Sequence, residues 1–256
     1  MGLFLKVGSM FIVGISGLGD TGGALPAVMT CLLVLVLIYT VLGGMISVVI
    51  TDYIQFVVLS FGLLVVTAIA IAKLGWDHIF TTVLAEMGEA GFNPLISDGA
   101  FGTEYIIWMF FLGLVACGIW PPAIARALAV DSPATVKKQY MWSSVSFLIR
   151  FLIPYFWGIC AFVFLVTKAP DLHTVFFPPS EGEEGLNNLY AMPVFLGRIL
   201  PAGLIGLVTA GMIAAFMSTH DSYLLCWSSV LTQDIIGPLT GDRLTSRARI
   251  GLTRIL

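Results

Sequence analysis

At 256 residues, 58% hydrophobic and 11% charged, the chain lies far from a soluble domain, where about 25% of residues carry charge. Its formal net charge of −3 offers no basic footprint for nucleic acid. A bilayer core about 30 Å thick takes about 20 apolar residues per helix, so the length holds about six spans and little else. The expected fold class is therefore all-α, a polytopic transmembrane helical bundle, with residues 1–256 as one transmembrane domain in a lipid bilayer.

Apolar segments are predicted at 3–15, 26–43, 49–72, 104–120, 140–166 and 202–231, separated by Gly-, Pro- or charge-bearing stretches. The first is short for a span. Its lone Lys6 before an apolar run imitates a signal peptide, but no small-residue cleavage site follows, and a partial or complete membrane helix is expected. The second and third segments meet at a short turn, 44–51. Two longer connections follow later, 73–103 and 167–201. The earlier one is expected to hold a short amphipathic helix around 77–87, and the later one to be loop-rich around FFPPSEGEEG.

Arg126, Lys137, Lys138 and the arginines of the C-terminal tail gather on one side of these spans. By the positive-inside rule that side is cytoplasmic and both long connections face out. Cys31, Cys117, Cys160 and Cys226 all lie in apolar stretches and read as small core residues, with neither a disulfide framework nor a zinc pattern.

Ionisable side chains at membrane depth are costly and mark function by default. Asp52, Arg150 and Asp221 are the candidates. Asp52 and Arg150 are also explained by snorkelling or by capping a helix end, and Asp221 by a buried hydrogen bond between helices. Asp221 stands in AAFMSTHDSYLLCWSSVLTQDI, residues 214–235, where five polar residues occur in succession. A His220–Asp221–Ser222 triad is excluded, because consecutive helical residues point about 100° apart and cannot converge. No H-E-x-x-H pattern occurs, and an enzyme is not expected.

Two kinds of order run through this segment. Gly206, Ala210, Ala214, Ser218 and Ser222 recur every fourth residue, a small-residue stripe that admits a close neighbouring helix. Ala215, Ser218, Thr219 and Ser222 share one helical face. Hydroxyls there are explained by packing and by bonds to their own i−4 carbonyls. For one hydroxyl that explanation suffices; for adjacent hydroxyls above an alanine carbonyl a sodium site competes with it, because a hard cation takes oxygen ligands and neutral ones release it readily. Transporters place coupling ions near the midplane, where a broken partner helix contributes carbonyls.

Three stretches resemble the sodium:solute symporter family. LPAGLIGLVTAGMIAAFMSTHDSYLLCWSSVLTQDI, residues 200–235, resembles its signature helix. IYTVLGGMISVVITDYIQ, residues 38–55, is similar in its Tyr-Thr, Gly-Gly and Thr-Asp-x-x-Gln spacing. IARALAVDSPATVKK, residues 124–138, resembles the inner loop after the sixth core helix. All three stand in family order across nearly the whole chain.

The resemblance implies a partial LeuT-like fold of inverted repeats, with this chain matching core helices three to eight and the N- and C-terminal core helices missing. It implies a sodium-coupled symporter of the cell membrane, with Na+ as coupling ion and no other cofactor. The Ala215 carbonyl and the Ser218 and Thr219 hydroxyls would bind sodium. Asp52 and Asp221 would serve the ion pathway or a gate. Phe110, Gly113, Cys117 and Trp120 would line the substrate path. Sugar-transporting relatives carry asparagine and tyrosine where FFLGLVACGIWPP has Gly113 and Ala116. This departure disfavours a sugar and leaves an amino acid, carboxylate, vitamin or similar small solute. The alternative is a non-transporting sensor or a channel-like protein on the same scaffold.

Overall fold

The computed structural model describes residues 2–17, 23–96, 101–178, 185–241 and 243–255, without the side chains of 43–47 and 255. All regular structure among them is helical: α1 (Gly2–Ser16), α2 (Ala24–Leu74), α3 (Trp76–Met87), α4 (Thr103–Ile119), α5 (Pro121–Leu128), α6 (Pro133–Thr167), α7 (Pro170–Phe176), α8 (Ala191–Ile199), α9 (Ala202–Val230), α10 (Gly237–Leu239) and α11 (Ser246–Ile255). Among the described residues four helical stretches, two of them in α2, are long and apolar enough to cross a membrane, or five if the bent pair α4–α5 is one span. The protein is an all-α, polytopic membrane bundle. The first expected segment is α1, whose 15 residues fall short of a full crossing.

The second and third expected segments form one 51-residue helix, α2. Straight, it would run about 77 Å, more than twice a bilayer core. It is not straight. The Tyr39 hydroxyl hydrogen-bonds Thr51 Oγ1, twelve residues on. A straight helix would separate these residues by about 18 Å, so α2 bends sharply between them. The expected turn at 44–51 is thus a bend in continuous helix.

Local chemistry explains the other boundaries. Pro121 disfavours helical backbone at Trp120, which has φ −74° and ψ 101°, and α4 and α5 meet there at 43°. Ser132 caps α6, its Oγ accepting from Thr135 N at 3.3 Å, and Pro133 occupies the first helical position. The helix therefore starts before the expected 140, and Lys137 and Lys138 lie on it. Gly75, with φ 86°, turns α2 into the amphipathic α3 that the sequence predicts. Past α9 the chain widens into a π-helical turn, Leu231–Ile236. Pro238 follows, and its ring crowds the carbonyl four residues back, which a wider turn relieves. The later long connection is less loop-rich than expected, since it contains α7 and α8; residues 179–184 of FFPPSEGEEG lie outside the description.

The chain divides into two compact units, Met1–Leu63 with Leu200–Leu256, and Leu64–Ile199. In the first, Leu32, Val36 and Phe216 form a core joined by Leu5, Ile12 and Ile213. Phe4 stacks on Tyr223 with ring centroids 6.2 Å apart, and a Cβ added at Gly8 would stand 2.8 Å from Phe216 Cδ2. The close approach therefore uses a glycine of α1 against an aromatic ring of α9. The expected small-residue stripe does not make it at Gly206, where a Cβ would meet nothing within 4 Å. Within lipid, association rests on such packing and on hydrogen bonds, because lipid tails are as apolar as the side chains.

In the second unit the C-terminal half of α6 buries Trp157, Cys160, Val163 and Leu165. Trp157 Nε1 donates to Thr67 Oγ1 at 2.9 Å, and Phe164 packs on Phe195 of α8 with centroids 5.4 Å apart. Lys168 Nζ donates to the Lys73 carbonyl at 2.6 Å, satisfying an orphan acceptor at the end of α2. No residue of α4 is buried. Of the cysteines only Cys160 is buried; Cys31 and Cys117 are exposed, so these two are not the core residues expected.

Candidate functional site

The polar run of α9 sorts by face. Ala215, Ser218 and Thr219 are half-buried, while His220 and Asp221 are 2% and 0% exposed. Thr219 Oγ1 donates to the Ala215 carbonyl at 2.9 Å. Two of the three predicted ligand oxygens thus lie together. Ser218, one turn from Ala215, projects on the same face. A hydroxyl that donates its one proton keeps two acceptor lone pairs, and a carbonyl accepting one bond keeps another. The Thr219 bond is therefore the ordinary i−4 contact, and it leaves both oxygens able to face a cation.

Ser222 is used differently. Its hydroxyl lies 2.6 Å from the Ser218 carbonyl and 3.1 Å from Asp221 Oδ1. That contact of Asp221 is within its own helix. His220, unassigned by sequence, is a core residue. Its Nδ1 lies 2.9 Å from the Phe216 carbonyl, and its ring stacks on Phe216 with centroids 3.9 Å apart.

Asp52 sits half-buried on α2, next to Thr51. Thr51 Oγ1 also donates to the Val48 carbonyl at 3.0 Å, so the Tyr39–Thr51 contact ties the bend of α2 to the residue beside Asp52. Gln55 shares its face at i+3 and keeps a buried Oε1 without a hydrogen-bond partner among the described residues. Asp52, Asp221 and the oxygens of α9 all belong to the first unit.

Phe110, Gly113, Cys117 and Trp120 belong to the second unit and are all exposed. Phe110, Gly113 and Cys117 share a face of α4, and Trp120 stands at its break. This face is uncovered within its unit, and a Cβ at Gly113 would meet nothing within 4 Å. Arg150 is likewise exposed, midway along α6.

A polar junction escaped sequence reasoning. Thr253 Oγ1 of α11 donates to Thr232 Oγ1 of the π-helical turn at 3.4 Å. Its signal was register: Ser228 with Thr232, and Arg249 with Thr253, each lie one turn apart.

The model of the sodium:solute symporter family matches residues 8–247. The chain belongs to the sodium:solute symporter family. Among its relatives, sodium/proline symporter 2 of Staphylococcus saprophyticus is 28% identical over 209 residues, covering 81% of this chain and 37% of the relative. The sodium/glucose cotransporter of Vibrio parahaemolyticus is 28% identical over 229 residues, covering 80% and 40%. The sodium/sialic acid symporter SiaT of Proteus mirabilis is 27% identical over 218 residues, covering 82% and 41%. The chain spans about two fifths of the length of these relatives, whose names are those of transporters. The family match and the apolar helices make it an integral membrane protein. The glucose-named relative is as similar as the proline-named one, so the departures at Gly113 and Ala116 do not separate this chain from sugar-named relatives.

Proposed function

We propose that this chain is part of a sodium-coupled symporter for a small organic solute, in which the Ala215 carbonyl, Ser218 Oγ and Thr219 Oγ1 bind the coupling ion. One observation carries the site. Thr219 Oγ1 and the Ala215 carbonyl lie 2.9 Å apart on a half-buried face that Ser218 shares. These are neutral oxygens suited to a hard cation that must leave again. Asp52 supplies negative charge for the ion's path, and Asp221 stiffens α9 beside the site. The uncovered face of α4, with Phe110, Gly113, Cys117 and Trp120, is the proposed solute wall. The names of the relatives support a range from amino acid to sugar.

The energetics suffice for such a role. One sodium ion entering down ~100 mV releases about 2.3 kcal/mol, and a tenfold gradient adds about 1.4 kcal/mol. Together they drive accumulation of a neutral solute by roughly 500-fold. Coupling requires only that ion and solute stabilise the same conformation, without bond chemistry.

The test is sodium-dependent uptake of labelled proline, glucose and sialic acid into vesicles containing the protein. Ser218→Ala and Thr219→Ala should each raise the half-saturating sodium concentration about tenfold or more, the equivalent of one lost charge-assisted contact. Thr219→Ser, which keeps the oxygen, should stay near the parent value. Unchanged sodium dependence in both alanine variants refutes the site. Equilibration without accumulation would favour a channel, and sodium binding without any flux a sensor.

A further inference from the structure

Helix α3 has no part in the proposed sodium site, and its flanks differ in chemistry. Ile79, Thr82 and Val83 are buried within the second unit, where α3 packs against α6. Asp77 and Thr81 make an exposed polar flank. Between the two run Trp76, Phe80 and Leu84 at i, i+4 and i+8, each 43% to 56% exposed. Phe92, itself exposed, extends this third flank by stacking on Phe80 with centroids 5.6 Å apart. A contiguous exposed apolar patch of this kind marks a contact with protein or with membrane.

The neighbours of α3 fix its depth. Val48–Leu74 and Pro133–Thr167, two of the stretches able to cross a membrane, end beside it. Lys168 Nζ holds the Lys73 carbonyl at 2.6 Å, so the two ends lie at one level. Thr167 Oγ1 gives its proton to the Val163 carbonyl and therefore accepts from His78 Nε2, 3.3 Å away, which ties α3 to that level. Lys73 and Lys168 are exposed there, where cations reach the headgroups. Trp76 points the other way. Its ring lies 5.9 Å from that of Phe156, eleven residues and about 16 Å back along α6 from Thr167. The aromatic flank is thus continuous with the apolar surface of α6, where Ile159, one turn from Phe156, is also exposed.

We propose that α3 is an interfacial helix whose face of Trp76, Phe80, Leu84 and Phe92 lies in lipid, at the boundary between headgroups and acyl chains. Such a helix sinks its apolar face about 5–10 Å into that boundary, where Trp is favoured. Helix α3 carries no Lys or Arg, so the contact calls for acyl chains and not for acidic headgroups. It anchors the joined ends of α2 and α6 at one depth.

The test spin-labels Phe80→Cys, Leu84→Cys, Thr81→Cys and Ala85→Cys, one at a time, in the whole chain carrying Cys31→Ala, Cys117→Ala and Cys226→Ala. Cys160 is buried and stays. In phosphatidylcholine vesicles, collisions of the label with oxygen report lipid, and collisions with a nickel chelate report water. Oxygen should dominate at positions 80 and 84, and the order should reverse at 81 and 85. Nickel access at 80 and 84 places the face in water and overturns the proposal. Protection of both positions from both reagents means that protein covers the face, which also overturns it. Tryptophan fluorescence of the unlabelled chain gives a second reading. Phosphatidylcholine brominated near the top of its acyl chains should remove less intensity from Trp76→Phe than from the parent, and an equal loss in the two overturns the proposal.

Discussion

Gly8→Ala is the sharpest probe of how α1 seats on α9. The added Cβ would stand 2.8 Å from Phe216 Cδ2, 3.4 Å from Cε2 and 3.7 Å from Cγ. The ring is not free to yield, because it stacks on His220 with centroids 3.9 Å apart and packs with Leu32 and Val36. Forcing a methyl group into a filled core costs about 1–3 kcal/mol. Alanine's better helix propensity returns up to about 1 kcal/mol. The single variant should therefore be destabilised by about 1 kcal/mol net.

Phe216→Ala alone should cost less than the about 3–5 kcal/mol seen for a buried Phe in water-soluble proteins. In lipid the transfer term largely cancels and only packing is lost. In the double variant the clash is gone and the new methyl occupies part of the vacated space, so Gly8→Ala becomes stabilising. Helix propensity enters both backgrounds equally and drops out of the cycle. The coupling energy should be about 1–3 kcal/mol, measured by reversible unfolding in mixed detergent micelles with circular dichroism as the readout. Additivity within about 0.5 kcal/mol would refute the seating of Gly8 on Phe216.

Two further outcomes test the second unit. Trp157→Phe removes the bond to Thr67 Oγ1 and Thr67→Val removes its partner; their double-mutant coupling should be about 0.6 kcal/mol, and zero coupling would deny the contact. Pro121→Ala with Pro122→Ala restores the missing N–H donors, so α4 and α5 should straighten from their 43° bend. Spin labels on either side of Trp120 should then move apart, and an unchanged distance would place the cause of the bend elsewhere.

Much of this organisation was readable because it is local. Helix α3 emerged at nearly its predicted position because Gly75 and Gly88 bound an amphipathic stretch. Pro121 and Pro122 marked a break that any fold must respect. The common face of Ala215, Ser218 and Thr219 followed from helical geometry alone. The Thr219 bond to the Ala215 carbonyl is likewise what a mid-helix threonine does wherever it stands.

Other features required the chain to fold back on itself. At Gly206 the small-residue stripe of α9 makes no close contact, whereas Gly8 stands tight against Phe216, because the shape of the neighbour decides which ridge meets which groove. A cavity beside Thr232 draws on α2, α9 and α11, whose residues are far apart in sequence and share no local pattern.

Composition and periodicity by themselves determined that this protein is helical, crosses the membrane and carries a line of oxygens along one face of α9. Burial in lipid forces backbone groups to pair within the segment, and that constraint is local. Only the tertiary structure decided that His220 is buried in the core, that α2 bends so that Tyr39 meets Thr51, and that hydroxyls of the π-helical turn and of α11 meet. Those outcomes depend on which surfaces approach one another, a choice made by packing between distant segments and absent from the repeat of any one helix.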